Sequence, residues 1–355
     1  MSSKQPVSPA EHGETVHSLR HVAQLAGVSV ATASRVMSGS THPVSDVTRQ
    51  RVLSAADMLS FEPNRLARAL VTARSQTVGV IVHDISDPYF GDIVKGLEDG
   101  IHAEDYRLFV ASSDRDPEKE LNYVRAFHAH QVDAIVFAAS SLTDPAYIET
   151  LTSLATRFQR RGGVIVVLSD HVLEGPRVRF DNRRAVAEMV GYLVKRGHRH
   201  VGYISGPAEL EVTQVRLAGY TAAAAEFGLP TGPEYIVDGR FTVRGGGAAL
   251  KELMGRVQLT AVLAANDLMA IGATRQLLAS GIAVPDDVSV AGFDDIPIAE
   301  YGPVPLTTMR VPTYEIGRQG AALLLEALGT GETDEVLVGG EIIERESVAS
   351  IRGTG

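Results

Sequence analysis

The chain has 355 residues and a formal net charge of −10, and 45% of its residues are hydrophobic while 21% are charged. This composition is typical of a globular protein long enough for two or three domains. Cysteine is absent, which excludes disulfides, thiolate catalysis and zinc sites built on cysteine. No segment reaches the ~18 uncharged apolar residues of a membrane-spanning helix, and residues 1–16 lack the apolar run of a signal peptide. We therefore expect a cytoplasmic protein with a disordered N-terminal tail at residues 1–16.

The charge is divided unevenly along the chain. Residues 17–75 contain seven arginines, no lysine and three acidic residues, a net charge of +4, whereas the chain from residue 76 onward carries −13. A basic N-terminal module on an acidic body indicates that only the module approaches nucleic-acid phosphates. Its binding is then expected to depend on salt.

Residues 19–38 have the pattern of two short helices joined at a glycine. Apolar residues recur at helical spacing on the first helix: Leu19, Val22, Leu25 and Ala26. Gly27 stands where a helix C-cap requires positive φ, and the Ser29 hydroxyl can cap the helix that follows. The second helix directs four side chains outward near its N-terminus: Val30, Ala31, Ser34 and Arg35. This is the layout of a helix-turn-helix, although two helices around a glycine also occur in ordinary protein cores.

Two further helical segments follow. Ser45 is the predicted N-cap of a third helix, and residues 63–70 form a helix-prone segment of about two turns, too short to be stable alone in water. We expect this segment to become ordered only against something else, such as DNA together with a second subunit. The patterns predict a three-helix unit at residues 17–62 with the layout of a helix-turn-helix DNA-binding domain, followed by a short helical segment and linker at residues 63–75, the place of a hinge helix if the unit binds DNA.

From residue 77 onward, short apolar strand runs alternate with amphipathic helical segments, beginning with VGVIV at 78–82 and ending with VSVAGF at 288–293. The alternation predicts parallel sheets covered on both faces, and the number of strands favours two doubly wound lobes over one sheet. Ligands of such folds bind beyond the carboxyl ends of the strands. We expect a ligand-binding core at residues 76–355, divided into lobe one at about 76–176 and 312–336 and lobe two at about 177–311 and 337–355.

Nine stretches of the chain occur in a distinctive order: VAQLAGVSVATASRVMSG, VSDVTRQRVLSAA, PNRLARAL, VGVIVHDISDPYFGDIVKGLE, LVKRGHRHVGYISGP, RLAGY, AANDLMAIGA, VSVAGFDD and LTTMRVP. In order and spacing, from about residue 18 to residue 351, they resemble the LacI/GalR family of ligand-gated bacterial transcription regulators. The resemblance implies an α/β protein with an N-terminal three-helix helix-turn-helix domain and a hinge helix. Two doubly wound parallel-sheet lobes of the periplasmic-binding-protein type would follow.

The resemblance implies a set of residues that contact DNA. The recognition-helix positions are Ser29, Val30, Ala31, Thr32, Ser34 and Arg35, and the hinge-helix positions are Asn64, Ala67 and Leu70. Val30 and Ala31 are small and apolar, so we expect contacts to thymine methyl groups rather than bidentate hydrogen bonds. Arg35 is the best candidate for a guanine edge or a phosphate. In the family, paired hinge helices enter the minor groove and a leucine, here Leu70, wedges a base step.

The resemblance also implies an effector pocket between the lobes. Arg216, Asn266 and Asp294 match ligand contacts of the family, and three further positions commonly line the pocket: Tyr89, Asp170 and Phe241. Carboxylates and amides accept hydrogen bonds from vicinal hydroxyls, a guanidinium donates a planar fork, and an aromatic face stacks on a sugar. A sugar or sugar derivative is the commonest effector of the family, and some members recognise nucleobases or nucleosides. Whether the effector releases or strengthens DNA binding stays open.

Four positions depart from the usual family pattern. Ala33 stands where a larger β-branched residue is common, Ser38 replaces a common asparagine, the loop at 39–44 is slightly long, and Asp87 replaces an asparagine. These departures concern the operator sequence and the effector rather than the class of protein.

Other signals do not point to chemistry. His128 and His130, like His198 and His200, stand two residues apart, a spacing that on a helix does not face one ligand. We expect them at the surface or at helix ends. The triple glycine at 245–247 does not follow a buried strand as a phosphate loop would. We therefore predict no catalytic group, metal or cofactor.

Three functions compete. The leading prediction is a sequence-specific DNA-binding transcription regulator. We expect it to be a repressor that is gated by a small-molecule effector. A solute-binding transport component shares the two lobes but not residues 17–75, and a two-lobed α/β enzyme would need a catalytic constellation. The amphipathic segment at 313–328 is not followed by a heptad run, so a homodimer is expected rather than a coiled-coil tetramer.

Overall fold

The computed structural model describes residues 17–37, 42–61, 74–331 and 334–351. The chain forms two compact units, Met1–Ser75 and Gln76–Gly355. Several predicted features lie outside the described residues: the tail at 1–16, Ser38, and the hinge residues Asn64, Ala67 and Leu70. Among the helices that are described, none combines the length and apolarity needed to cross a membrane.

The first unit contains three short helices around a small apolar core. Helix α1 spans Leu19–Ala26, α2 spans Val30–Met37 and α3 spans Asp46–Met58. All three contribute to the buried set: Val22, Ala23, Ala26, Ala33, Val36, Val52, Ala55 and Ala56. Leu25, which was expected on the apolar face of α1, is 50% exposed. It lies roughly 110° around the helix from the centre of the buried face.

Hydrogen bonds fix the turn between α1 and α2. Gly27 has φ +65°, the left-handed conformation that a C-cap requires. The Ser29 hydroxyl accepts the backbone N–H of Thr32 at 3.1 Å and so caps α2. From α3, Arg51 Nε donates to the Ala26 carbonyl at 3.1 Å, which places a cation at the C-terminus of α1. The turn is therefore fixed locally by its caps and, through a tertiary contact from α3, by Arg51.

Lobe one of the second unit is built on a six-stranded sheet in which all neighbours are parallel. In sheet order its strands are β11 (Glu335–Val338), β5 (Arg177–Phe180), β4 (Val164–Val167), β3 (Ala134–Phe137), β1 (Thr77–Val82) and β2 (Arg107–Ser112). The helices of this lobe are α4 (Pro88–Ile101), α5 (Pro117–Ala129), α6 (Pro145–Arg160) and α12 (Thr313–Thr330). Val80, Ile81 and Val82 are fully buried, because helices cover both faces of the sheet.

Lobe two repeats the architecture with a second six-stranded sheet. In sheet order its strands are β12 (Glu341–Ile343), β10 (Thr307–Arg310), β9 (Ser289–Asp294), β8 (Ala261–Ala264), β6 (Val201–Ser205) and β7 (Ile236–Asp238). Only β12 runs antiparallel to its neighbour in this sheet. The helices are α7 (Asn182–Lys195), α8 (Glu211–Glu226), α9 (Val243–Arg256), α10 (Asp267–Ala279) and α11 (Ile298–Tyr301). Short 3₁₀ turns occupy His102–Glu104 and Pro233–Tyr235.

Three helices of lobe one begin with an aspartate followed by a proline. The carboxylates of Asp87, Asp116 and Asp144 each accept a backbone N–H of the helix they precede, and the proline takes the first turn. Both residues suit a helix N-terminus, since the carboxylate satisfies a free donor and proline has none to satisfy. The same caps hold the loops that leave the carboxyl ends of the strands.

The chain crosses between the lobes three times, after β5, after β10 and after β11. The sequence placed the first change of lobe at residue 177, but Arg177–Phe180 pairs with β4 and β11, so the change comes after residue 180. The third change likewise follows residue 338 rather than 336. The strand at 177–180 was missed because its two arginines interrupt the apolar run by which the other strands were recognised.

Helices α4 and α12 approach so closely that glycine is required where they cross. A Cβ at Gly96 would lie 2.1 Å from the Tyr314 carbonyl oxygen, and one at Gly317 would lie 2.1 Å from the Ile93 carbonyl oxygen. Both distances are far below van der Waals contact. The packing of α12 on lobe one therefore depends on backbone contact between these two helices.

We expect Gly96→Ala to lower the free energy of unfolding by about 1–3 kcal/mol, because the helices must move apart to admit the methyl group. Gly91→Ala, in the same helix, is the matched control. Nothing lies within 4 Å of a Cβ at that position, so the change is expected to be neutral or to stabilise by about 0.5–1 kcal/mol. Chemical denaturation of the full chain measures both. Equal effects of the two substitutions would contradict the close crossing.

Candidate functional site

A cleft lies between the two sheets, at the carboxyl ends of their parallel strands. It encloses about 670 Å³ between its walls, including the part open to solvent. Its lining contains all six residues that the sequence assigned to an effector pocket: Tyr89, Asp170, Arg216, Phe241, Asn266 and Asp294. The fold thus brings together residues that are up to 205 positions apart in the chain. Their role in binding stays a prediction.

Hydrogen bonds join the two lobes beside this interlobe cleft. The Glu211 N–H donates to the Ser141 carbonyl at 3.0 Å, and the Val212 N–H donates to the Ser140 hydroxyl at 2.9 Å. Ser140 and Val212 both line the cleft. These bonds hold the N-terminus of α8, the helix that carries Arg216, against lobe one.

Arg216 is the centre of the polar lining. Its side chain is 5% exposed, its Nε donates to Asn182 Oδ1 at 2.8 Å, and its Nη2 donates to Asp294 Oδ1 at 3.3 Å. A third hydrogen bond runs from Nη1 to the Ala265 carbonyl. The guanidinium carbon lies 4.0 Å from the centroid of the Phe293 ring. The fork is thereby fixed in one plane, and two of its five N–H groups remain for a ligand.

Asn182 connects this centre to lobe one. Its Nδ2 donates to Asp170 Oδ2 at 2.7 Å, while its Oδ1 accepts the hydrogen bond from Arg216. Asp170 follows β4 in lobe one, whereas Asn182 opens α7 in lobe two. The sequence did not single out Asn182. The available signal was an amide residue at the start of a helix that directly follows a strand.

The stretch AANDLMA presents one residue to the cleft and the next to the core. Asn266 lines the cleft and caps α10, since its Oδ1 accepts the Met269 N–H at 3.0 Å. Its amide nitrogen is the group left to donate to a ligand. Asp267 is fully buried and accepts hydrogen bonds from the Thr308 hydroxyl and the Ile296 N–H.

The stretch GFDD divides its two carboxylates in the same way. Asp294 lines the cleft, whereas Asp295 pairs with Arg310 Nε at 2.7 Å and with Arg345 Nη1 at 2.7 Å. Both aspartates have positive φ, 110° and 59°, a conformation that is disfavoured for residues other than glycine. The pairs made by Arg216, Arg310 and Arg345 hold this backbone in place.

Burial dominates the electrostatics of these carboxylates. It raises the pKa of Asp294 well above its usual range, although the Arg216 charge opposes the shift. It also raises the pKa of Asp170, against the hydrogen bond from Asn182. Burial raises the pKa of Asp267 to about 7.

Aromatic rings form the apolar part of the lining. Tyr89 meets Phe90 edge to face, with ring centroids 5.1 Å apart. Phe241 has φ +55° and lies over Gly206, where a Cβ would come within 2.2 Å of its ring. Glycine at 206 is therefore a condition for the position of Phe241. The sequence did not identify two other residues that line the cleft, His83 and Arg115.

In the first unit, the candidate DNA contacts lie on the outer side of α2. Ser29, Val30, Ala31, Ser34 and Arg35 are exposed, and Thr32 is half-buried where its hydroxyl meets that of Ser29 at 2.9 Å. Ala33 and Val36 point into the core of the unit. The small Ala33 is thus a core residue and is fully buried.

The histidine pairs do not form metal sites in the part of the chain that the structure describes. No group of three or more histidine and acidic side chains there could hold a metal ion. His198 was expected at the surface or at a helix end. It follows the end of α7, but it is 1% exposed and hydrogen-bonds to Thr260 Oγ1 at 3.2 Å and to the Ala349 carbonyl at 3.1 Å. It joins the C-terminal segment to lobe two.

Comparisons with known proteins agree with both units. Residues 18–64 match the family model of bacterial regulatory proteins of the lacI family, and residues 190–348 match that of the periplasmic binding protein-like domain. The chain is 34% identical over 322 residues to the HTH-type transcriptional repressor CytR of Escherichia coli strain K12, which covers 90% of this chain and 92% of that protein. It is 34% identical over 343 residues to the HTH-type transcriptional regulator GalR of Salmonella typhimurium strain LT2, with 95% and 97% covered.

Solved structures show the same architecture. The transcriptional regulator CelR–cellobiose complex superposes with a TM-score of 0.67 at 29% identity, covering 93% of this chain and 99% of that chain. The lac repressor dimer bound to operator and the anti-inducer ONPF gives a TM-score of 0.82 at 24% identity, covering 94% and 99%. At that identity the lac repressor comparison is evidence for the fold alone.

Fold, cleft and relatives together define a helix-turn-helix transcription regulator with a two-lobed effector-binding domain. The chain belongs to the LacI/GalR family of bacterial transcription regulators. The predicted family, fold class and regulator function are confirmed. The relatives are regulators rather than enzymes, and the lacI-family match at residues 18–64 is not a feature of a transport component.

Asp267 predicts a pH dependence of stability. In the folded protein the Asp267 carboxyl keeps its proton up to about pH 7. In the unfolded chain the same carboxyl releases its proton near its ordinary pKa of 3.8. The stability contributed by the protonated group is therefore complete below the ordinary value and is lost as the pH rises towards 7. We expect the free energy of unfolding of wild type to fall over this range by up to about 4 kcal/mol more than that of Asp267→Asn. Denaturant titrations at a series of pH values measure the difference, and parallel profiles would contradict it.

Proposed function

We propose that the chain is a repressor that binds operator DNA as a homodimer and is gated by a small polyhydroxylated effector, a sugar or sugar derivative. As its target is chromosomal, we propose that it acts in the cytoplasm. The observation that carries this proposal is the hydrogen-bonded chain from Asp170 through Asn182 to Arg216 and Asp294. It spans both lobes inside one cleft, so a ligand that engages it acts on both lobes at once.

The chemistry of the cleft supports a ligand with hydroxyl groups. Asp170 and Asp294 offer oxygen acceptors, while Arg216 and the amide nitrogen of Asn266 offer donors. Tyr89 and Phe241 are proposed to stack on the C–H face of the ligand. The solved structure of the transcriptional regulator CelR is a complex with cellobiose, which supports a sugar as the effector of this chain.

The outer side of α2 is proposed as the recognition surface for the major groove. Its exposed residues include Val30 and Ala31, which suit thymine methyl groups, and Arg35, which suits a guanine edge or a phosphate. The net charge of +4 on residues 17–75 supports binding to phosphates. The lac repressor dimer, whose fold this chain shares, is bound to an operator.

The hinge residues Asn64, Ala67 and Leu70 are proposed to enter the minor groove between the two recognition helices. There Leu70 is proposed to wedge a base step and bend the duplex. The bend would add specificity at positions that no side chain contacts.

Exposed apolar side chains support self-association. Phe109 and Val110 are 52% and 41% exposed on β2, which lies at the edge of the sheet of lobe one. Ile298 and Tyr301 of α11 are 51% and 78% exposed. Exposed edge strands can pair with another chain, and exposed apolar patches mark interaction surfaces. We propose that a second copy of the chain covers these side chains.

Gating is proposed to act through the angle between the lobes. If bound effector favours a different angle between the lobes from the one that favours DNA binding, the effector changes the operator affinity. Such couplings are typically about 1–3 kcal/mol and are reciprocal, so DNA must change the effector affinity by the same factor.

We expect Arg35→Ala to weaken operator binding by about 1–3 kcal/mol. Arg20→Ala, which removes the same charge from exposed α1, is the matched control and is expected to change only the salt dependence. Leu70→Ala, assayed beside them, is expected to reduce the bend of the complex. Gel-shift titrations at several salt concentrations measure these effects. The recognition role of α2 is wrong if the two arginine variants behave alike.

We expect Asp294→Asn to weaken effector binding about tenfold or more, because the variant replaces one of two carboxyl oxygen acceptors in the cleft and disturbs the pair with Arg216. Operator affinity without effector should stay unchanged, while the response to effector is lost. Calorimetry and gel shifts with sugars and nucleosides measure both properties. Asp286→Asn, at an exposed position of lobe two, is the control. A variant that still binds and responds like wild type would show that the cleft is not the effector site.

A further inference from the structure

Two buried nitrogen atoms on the lobe-one wall of the cleft make no hydrogen bond of normal geometry. They are Nε2 of His83, whose ring still interacts with the Ser140 backbone, and Nε of Arg115, and both residues line the cleft. The other ring nitrogen of His83 lies 3.5 Å from the Ser113 hydroxyl. Buried polar atoms in folded proteins are almost always satisfied. Two unsatisfied nitrogens on one wall of a cleft therefore indicate that the missing partner is a ligand.

The backbone presents these two side chains together. The Asp114 N–H donates to the His83 carbonyl at 2.7 Å, and the Ser112 hydroxyl donates to the same carbonyl at 3.1 Å. The loop after β2 is thus tied to the end of β1. Asp114 and Arg115 both have positive φ, 55° and 61°, which non-glycine residues rarely adopt. Backbone strain of this kind is found where a side chain is held for function.

The charges around Arg115 do not favour an anionic ligand. Asp87 and Asp84 act on its guanidinium with opposite charge more strongly than Arg240 acts on it with like charge, and Asp87 itself lines the cleft. Burial, reinforced by the Arg115 charge, lowers the pKa of His83 to about 3. The imidazole is consequently neutral at the pH of a cell. A phosphate or carboxylate placed here would lie close to Asp87 and would meet no unbalanced positive charge.

We propose that Arg115 and His83 form a recognition site on lobe one for an uncharged hydrogen-bond acceptor of the effector, such as a hydroxyl, carbonyl or ring nitrogen. This inference rests on the proposed effector function of the cleft. Lobe two holds the ligand through Arg216 and Asp294, and the lobe-one pair selects among ligands. Arg115 supplies a permanent donor, and the neutral imidazole of His83 adapts its tautomer to the partner.

Calorimetry on the full chain with paired ligands tests the inference. The neutral members are ribose, cellobiose, uridine and adenosine, and the charged members are ribose 5-phosphate, UMP and AMP. Wild type is expected to bind a neutral member and to bind the phosphate ester of that class at least about tenfold more weakly. Arg115→Gln and His83→Leu are each expected to weaken binding of the neutral ligand about tenfold, the loss of one hydrogen bond in the cleft.

Arg240→Gln is the matched control. Arg240 lies close enough to Arg115 to act on it electrostatically, but it is exposed, pairs with Asp238 and Glu209, and does not line the cleft. Its substitution is expected to leave the affinity unchanged. Thermal unfolding, together with binding to a duplex that wild type selects from a random library, shows whether each variant is folded.

The outcomes separate this inference from the proposed function. If wild type binds a neutral ligand and responds to it on DNA, but Arg115→Gln and His83→Leu bind like Arg240→Gln, the lobe-one site is wrong and the effector cleft stands. Tighter binding of a phosphate ester, lost in Arg115→Gln, overturns the uncharged chemistry. If wild type binds no member of the panel, the proposed effector site fails and the inference fails with it.

Discussion

The buried guanidinium of Arg216 is the interaction on which the arrangement of the cleft depends. A charge that is 5% exposed is tolerated only when its surroundings compensate it. Compensation comes from Asp294, from the Ala265 carbonyl, from Asn182 and from the face of Phe293. These groups come from three places in lobe two: Asn182 opens α7, Ala265 follows β8, and Phe293 and Asp294 end β9. Removal of the Asn182 or Asp294 side chain would leave an N–H of Arg216 buried without that partner, which explains why the lining is organised around one side chain.

The same network joins the two lobes. Asn182 lies directly after the first crossing of the chain and relays the position of Arg216 to Asp170 in lobe one. Further along, the second carboxylate of GFDD meets Arg310, which lies just before the second crossing and also pairs with Glu341 after the third. Asp294, which faces the cleft, is thus adjacent in the chain to Asp295, which pairs with Arg310 just before the second crossing. In the gating proposed above, a small ligand in the cleft would act on the angle between the lobes through these few contacts.

The lining of the cleft is asymmetric. On the lobe-two side, the donors and acceptors are already engaged with one another, so the site there is preorganised. On the lobe-one side, His83 and Arg115 each hold a buried nitrogen without a hydrogen bond of normal geometry, and Arg115 lies on a loop with two positive φ angles. This division suits a family in which one fold serves many ligands, since the engaged side preserves the mechanism while the other side is free to differ in specificity.

Much of the fold could be read from local patterns, and most of the candidate site was implied by the family resemblance. Glycine and serine at the turn between the first helices, Asp-Pro pairs at helix starts and apolar strand runs act over a few residues, so they were recognisable in the chain. Six cleft residues were named from the family resemblance, and the fold brings all six to one cleft. Other properties arise only from long-range packing: the place of the strand at 177–180, the burial of His198, and the relay through Asn182. Each depends on residues that are distant in the chain, and no local periodicity records which atoms a folded chain will bring within hydrogen-bond distance.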